Sequence, residues 1–212
     1  NRLLTTIAYR IKGKNTYAME GSIFIAGAGI QWLRDRMKFF KKAFETEKII
    51  KSLKNNSDVY LVPAFTGLGA PYWDSNSRGV LCGLTRDTGP KEIIRATVES
   101  VAYQTYDLFE AMKHDGLRPR LVKVDGGMVM NNWFSQFLSD VVNVGVLRPR
   151  VQETTALGAA FMAGLQIGVY KSLKDISKKW ALDRKFSPKM KNNNRTNLLK
   201  GWSKAIKRTL IN

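Results

Sequence analysis

V-K-V-D-G-G-M-V-M-N-N, residues 122 to 132, is the stretch on which the reading of this chain turns. Leu121, Val122 and Val124 make a short run of strand-forming residues, and Gly126-Gly127 interrupts it. Trp133, Phe134, Phe137, Leu138, Val141 and Val142 then recur at helical spacing. The pattern predicts strand, glycine turn, helix. Glycines in such a turn permit positive φ and remove the Cβ atoms that would hold a ligand off the backbone, while Asn131 and Asn132 can cap the helix or hold a ligand. A plain turn and a nucleotide site both satisfy D-G-G, a motif too short to separate them.

A second glycine-bearing stretch breaks a local rule. Glu20 to Met37 reads as a helix, with Ile23, Gly27, Ile30, Arg34 and Met37 along one stripe. Gly27 and Gly29 would then lie in its interior, at a cost of about 1 kcal/mol each relative to alanine. Close packing against a neighbouring helix would explain them. So would a flat ligand that approaches at Gly27 and meets Gln31, one turn on and on the same face.

The rest of the chain supplies the frame. Leu3 to Ile11 and Thr16 to Met19 predict two antiparallel strands joined at Lys12-Gly13-Lys14-Asn15. Phe39 to Lys54 is a lysine-rich amphipathic stretch, Asn55 to Asp58 a loop, and Val59 to Ala64 a strand. The segment F-T-G-L-G-A-P-Y-W-D-S-N-S-R-G (65 to 79) is too rich in glycine, proline and aromatics for regular structure, and long ordered loops of this kind often carry function. Gly79 to Leu84 returns to strand. Pro90 suits the first turn of a helix that would bury Ile94, Val98, Val101, Thr105, Leu108 and Met112. Val144 to Leu147 predicts a further strand. A helix capped by Thr154 or Thr155 follows, its small residues letting it lie close against a sheet. Ser172 to Trp180 reads as a short helix, Phe186-Ser187-Pro188 as a break, and Asn197 to Leu210 as a terminal helix with Leu198, Leu199, Trp202, Ile206 and Leu210 inward. Strands first, then alternating strand and helix, predict an α/β domain: a mixed β-sheet flanked by helices.

Composition sets the outer bounds. The chain has 212 residues, of which 44% are hydrophobic, with no disorder signature and no apolar run of membrane-spanning length, so no membrane partner is expected. One cysteine, Cys82, and one histidine, His114, exclude an internal disulfide framework and leave nothing for a zinc site. The net charge of +18 raises nucleic acid as a partner, but residues 168 to 212 alone carry +11 of it, interleaved with asparagine. A solvated basic C-terminal face, which ends in a basic tail and helix over residues 185 to 212, explains that excess better than nucleic-acid binding does. The chain opens at Asn1 inside a predicted strand, without methionine or a visible targeting signal, and is expected to be a fragment of a longer protein.

Four segments together carry a resemblance. The loop F-T-G-L-G-A-P-Y-W-D, the stretch A-G-A-G-I-Q-W-L-R-D (26 to 35), the run G-V-L-C-G-L-T-R (79 to 86) leading to E-I-I-R-A-T-V-E-S-V-A-Y-Q-T (92 to 105), and V-D-G-G-M-V-M-N-N resemble the glycerol kinases and, more broadly, the FGGY carbohydrate kinases. The spacing from Gly79 through Gly83 to Glu92, Ala96 and Glu99 matches the wider family's signature, and the aromatic loop with Q-W-L-R-D narrows it. The resemblance covers nearly the whole chain. It implies the second, C-terminal domain of an actin-like, ribonuclease H-like ATPase fold, with ATP or ADP bound in the cleft between two domains. Gly27 and Gln31 on the helix, and Gly127 and Asn131 in the adenosine motif, are the implied cofactor-binding residues. Asp125 is expected to fix the turn rather than act as a base.

By the same resemblance, the first phosphate loop, most glycerol contacts, the catalytic aspartate and most Mg2+ ligands lie upstream of the segment matching Leu3, in an N-terminal domain absent from these residues. No catalytic or metal residue is therefore assigned here. The parent protein is expected to be a cytoplasmic ATP:glycerol 3-phosphotransferase, while these 212 residues alone should be inactive, because phosphoryl transfer depends on positioning and charge stabilisation. A kinase of another polyol or sugar, and a non-catalytic remnant, are the alternatives. Gly29 stands where the family often has serine, and Met128 and Met130 replace smaller residues beside the adenosine pocket. The strand from Leu3 to Ala8 would present an open edge, so a homo-oligomer or an added partner is expected.

Overall fold

The computed structural model describes residues 2–53 and 58–210. The loop expected at Asn55 to Asp58 and the end of the stretch reaching Lys54 lie outside the described residues, except for Asp58. The first two strands, β1 (Leu4–Ile11) and β2 (Lys14–Glu20), pair antiparallel as predicted. Lys12 and Gly13 both take positive φ, 49° and 79°, and make the two-residue turn between them.

The helix expected from Glu20 to Met37 is shorter. β2 runs on to Glu20, residues 21 to 26 are not helical, and α1 spans Gly27–Asp35. The apolar G-S-I-F-I-A segment carries residues with helical spacing, yet Ile25 is buried as a connector and Gln104 donates to its carbonyl at 3.3 Å. α2 (Glu45–Lys51) follows. β3 (Tyr60–Val62) and β4 (Val80–Cys82) form a second antiparallel pair flanking the aromatic loop.

α3 (Pro90–His114) is the axis of the molecule. It starts with proline in its first turn and a Glu92 carboxylate that accepts from the Gly89 amide at 2.8 Å. Ile94, Val98, Val101 and Leu108 are buried as predicted, whereas Thr105 and Met112 are half-buried. β5 (Leu121–Lys123), α4 (Asn132–Val142) and β6 (Gly145–Pro149) follow, with β5 and β6 parallel. α4 packs on α3 and buries Phe134, Phe137, Leu138, Val141 and Val142.

Three differences concern the C-terminal third. α5 (Thr154–Gln166) takes Glu153 at its N-cap, leaving both threonines inside the first turn, and only Gly164 of its residues is buried. Its small residues therefore do not rest on a sheet. α6 (Leu173–Ser177) is capped by Ser172, whose hydroxyl accepts from the Asp175 amide at 3.2 Å. β7 (Leu182–Phe186), not foreseen in the sequence, pairs antiparallel with β6, so the β5-β6-β7 sheet is mixed. L-D-R-K-F is mostly charged and exposed, and it has no strand periodicity to read. α7 (Asn192–Thr209) starts five residues earlier than expected and drives Leu198, Trp202, Ala205 and Ile206 into the core. The basic C-terminal region is thus part of the packed body. Instead of one continuous sheet, the described strands form three small ones. Among the described residues, no helix is long and apolar enough to cross a membrane.

The aromatic loop is held by a polar knot. Asp107 of α3 accepts from Tyr72 Oη at 2.9 Å and from Trp202 Nε1 at 2.7 Å, tying loop, α3 and α7 together. Burial pushes the Asp107 carboxyl up to about 6, against the pull of Trp202 and Tyr72. Between the unfolded value and pH 6 the folded chain holds a proton that the unfolded chain has released. Asp107 therefore favours folding most below that window, and this contribution is lost as pH rises through about 6. Asp107→Asn keeps an acceptor for both donors. Urea unfolding of wild type and variant should show equal stability near pH 4 and a variant advantage of about 1–3 kcal/mol at pH 7.5. A difference that does not change with pH contradicts this account.

Candidate functional site

Three helix starts and one buried helix enclose a cavity of about 370 Å³. α1 supplies Gly27, Ile30, Gln31 and Arg34, and the beginning of α2 supplies Ala43, Phe44, Thr46 and Glu47. The 3-10 turn between β5 and α4 supplies Gly127, Met128, Met130 and Asn131, and Val98 of α3 closes the floor. Gly27, Gln31, Gly127 and Asn131, selected from two distant parts of the sequence, therefore line one cavity.

The two α1 glycines differ in surroundings, Gly29 packing against a helix and Gly27 facing open space. A Cβ on Gly29 would lie 3.0 Å from Thr97 Cγ2, so Gly29 lets α1 close on α3. A Cβ on Gly27 would meet no atom within 4 Å, and the same is true at Gly127; both would project into open space. Because Gly27 is the first residue of α1 and not an interior one, the full helix-interior cost does not apply to it.

Gly126, at φ 82°, makes the turn that only glycine takes without strain, and the 3-10 turn Gly127–Met130 follows it. Asn131 is the N-cap of α4. Its Oδ1 accepts from the Phe134 amide at 3.0 Å, and its Nδ2 donates to Thr46 Oγ1 at 3.3 Å. One side chain thus starts α4 and fastens the 3-10 turn to α2. The amide of Asn132 donates to Glu47 at 3.1 Å, a second link between the same two walls, while the Asn132 side chain accepts from Arg148 and Arg184. Asp125 accepts from the Thr154 hydroxyl, in keeping with a role in fixing the turn.

The electrostatics are mixed, with helix starts set against the Glu47 carboxylate. Gly27, Phe44 and Asn131 stand at the starts of α1, α2 and α4, so three helix N-termini bring partial positive charge to one cavity. Burial opposes ionisation of Glu47, but hydrogen bonds from Lys51 at 2.5 Å and from the Asn132 amide outweigh it and hold the carboxyl below its usual range. Arg34 is paired with Asp35 at 2.7 Å. Gln31 is exposed, and its side chain makes no hydrogen bond among the described residues. The remaining lining is apolar: Ile30, Ala43, Phe44, Val98, Met128 and Met130. A flat, mostly apolar body with a few polar edges fits such a cavity. The α2 residues were missed because nothing in the lysine-rich stretch marks them. The one available signal was a phenylalanine, Phe44, at a helix start.

The model of the C-terminal domain of the FGGY family of carbohydrate kinases matches residues 3–167. This chain belongs to that family. It is 56% identical over 208 residues to glycerol kinase 1 of Pseudomonas aeruginosa, covering 98% of this chain and 42% of that protein. The glycerol kinase of Gluconobacter oxydans is 54% identical over 211 residues. Among solved structures, Plasmodium falciparum glycerol kinase with ADP superposes with a TM-score of 0.88 at 37% identity, over 99% of this chain and 42% of that one. The fold is thus that of the actin-like ATPases, and this FGGY domain spans less than half the length of the curated relatives it matches.

The two glycines of α1 predict opposite outcomes. Gly29→Val should lower stability by about 1–3 kcal/mol through overpacking on Thr97, while Gly27→Val should stay within about 0.5 kcal/mol of wild type. Denaturant titration decides this. Equal losses at both positions would contradict the packing described.

Proposed function

We propose that this chain is the adenine-nucleotide-binding part of an ATP:glycerol 3-phosphotransferase, with adenine and ribose held in the cavity between α1, α2 and the 3-10 turn. The observation that carries this reading is the pair Gly27 and Gly127, at each of which a Cβ would enter open space, beside the unpartnered Gln31. A volume of about 370 Å³ lies within the usual range for small-molecule sites. Bare backbone at both glycines lets the planar base come close. Gln31 offers an amide donor and acceptor, and Asn131 keeps one N–H and one lone pair beyond those spent on Thr46 and Phe134.

Glycerol as acceptor is supported by identities of 53–56% to glycerol kinases across nearly the whole chain. ADP is the ligand named for the Plasmodium falciparum enzyme. Bound nucleotide would supply the transferable phosphoryl group, and these residues would hold and orient its adenosine end. They do not make a Mg2+ site: the one carboxylate on the cavity among the described residues, Glu47, is already engaged by Lys51 and Asn132. No step is derived through the metal.

The 212 residues bind nucleotide without transferring phosphate, and the longer enzyme works in the cytoplasm as a homo-oligomer. Leu4, Ile7 and Tyr17 of the β1–β2 pair are 47, 53 and 64% exposed, an apolar surface that favours association. Sedimentation of the chain should show species larger than a monomer at about 100 μM, and a single monomeric boundary there would contradict it.

Calorimetry tests the central claim. ADP should bind with a Kd in the micromolar to low millimolar range, about the affinity expected of half a cleft. Gly27→Leu, which fills the space at the glycine, should weaken that binding at least tenfold with little change in melting temperature. A coupled assay with ATP and glycerol should stay at background. Undiminished ADP binding in Gly27→Leu removes the site assignment, and turnover removes the claim of inactivity.

A further inference from the structure

Phe44 is the residue of this cavity that local structure explains least. It occupies the N-cap of α2, where a short polar side chain would satisfy a free amide, and it makes no side-chain cap. Nor does it serve the core, since 75% of its surface is exposed, second among the described large apolar residues only to Ile167. The Lys42 ammonium lies 5.8 Å from its ring centroid, and the ring borders the cavity. Met130, from the 3-10 turn, borders the same cavity and is 47% exposed, with its sulfur contacted by the Gln152 amide. What sets this pair apart from other exposed apolar side chains is that both border the same cavity, where a bound ligand would cover them.

We infer that Phe44 and Met130 form an apolar clamp that closes on the face of the nucleobase, so that base stacking on Phe44 sets affinity for the adenosine end of the ligand. This rests on the nucleotide reading of the cavity and adds the contact that reading lacks: Gln31 and Asn131 offer hydrogen bonds to edges, but no residue among those four offers a face. An aromatic ring covers a purine with little loss of side-chain freedom, and a thioether adapts to its other contacts. Lys42 beside the ring adds positive charge at the same mouth.

Titration of the 212-residue chain with adenosine and with ADP separates the possibilities. Phe44→Ala should raise Kd about tenfold for both ligands, because stacking acts on the base they share. Phe44→Tyr should return both to within about twofold of wild type. Met130→Ala should give a smaller loss in the same direction. Melting temperatures of all three should match wild type, since neither side chain is buried, which separates loss of contact from loss of fold. If Phe44→Ala binds adenosine as wild type does while Gly27→Leu does not, the clamp is wrong and the site stands. A loss for ADP without a loss for adenosine also overturns the clamp, since it assigns the effect to the phosphates. If wild type binds neither ligand, the clamp and the nucleotide reading fall together.

Discussion

Helix α3 must be hidden on every side along its middle. Nine consecutive residues, Ala96 to Gln104, are buried, so no face of the helix is left for solvent there. The apolar members among them take α1, α2, α4 and β3 as neighbours. Its polar members are answered by short links: Thr97 bonds back to the Ile93 carbonyl, Ser100 to that of Thr97, and Gln104 to that of Ile25. Glu99, fully buried, is the most exacting of them. Burial raises its carboxyl, opposed by Arg95 at 2.7 Å and by the Tyr103 hydroxyl at 3.2 Å. Breaking such a pair from one side typically costs about 3–5 kcal/mol, so Arg95, Glu99 and Tyr103 hold the axis as a unit.

The cavity follows from that arrangement. α1, α2 and α4 each pack on α3, and their first residues meet over Val98. Gly29 sets how close α1 comes, and Asn131 fixes the start of α4 against Thr46 of α2. What remains between them is a space bordered by backbone at Gly27 and Gly127, with three helix starts around it. The Asp107 knot with Tyr72 and Trp202 acts on another side of α3, keeping the aromatic loop and α7 in place. Although the aromatic loop has the unusual composition, among its described bonds it serves structure: Asp74 accepts from Asn76 and Ser77, and Ser77 reaches the Thr209 carbonyl.

Strong local signals were legible in the sequence. The hairpin had a glycine turn between two β-rich runs, α3 had a proline start and a long apolar stripe, and α4 followed a strand and a glycine pair. Each involved residues near one another in the chain. The errors came where tertiary packing overrode local pattern. Ile23 stands one turn before Gly27 on the expected stripe but lies in the segment that connects β2 to α1, and β7 exists only because β6 offers it an edge. Of the cavity's lining, Gly27 and Gln31 were found as a glycine and an amide one turn apart, and Gly127 and Asn131, beside Gly126 and Asn132, were found by the family resemblance. Ala43, Phe44, Thr46 and Glu47 were not, because their meaning depends on where α2 lies relative to the 3-10 turn. Asn131 was readable as a cap or as a ligand; the structure shows it capping, with capacity to spare.

The most direct measurement is an ADP titration of the isotopically labelled chain followed by amide chemical shifts. The account predicts that the largest, saturable shifts fall on Gly27, Gln31, Gly127 and Asn131, with Phe44 among them. Shifts confined to the cleft between α3 and α7, around Asp107 and Arg195, or no saturable shifts at all, would contradict it.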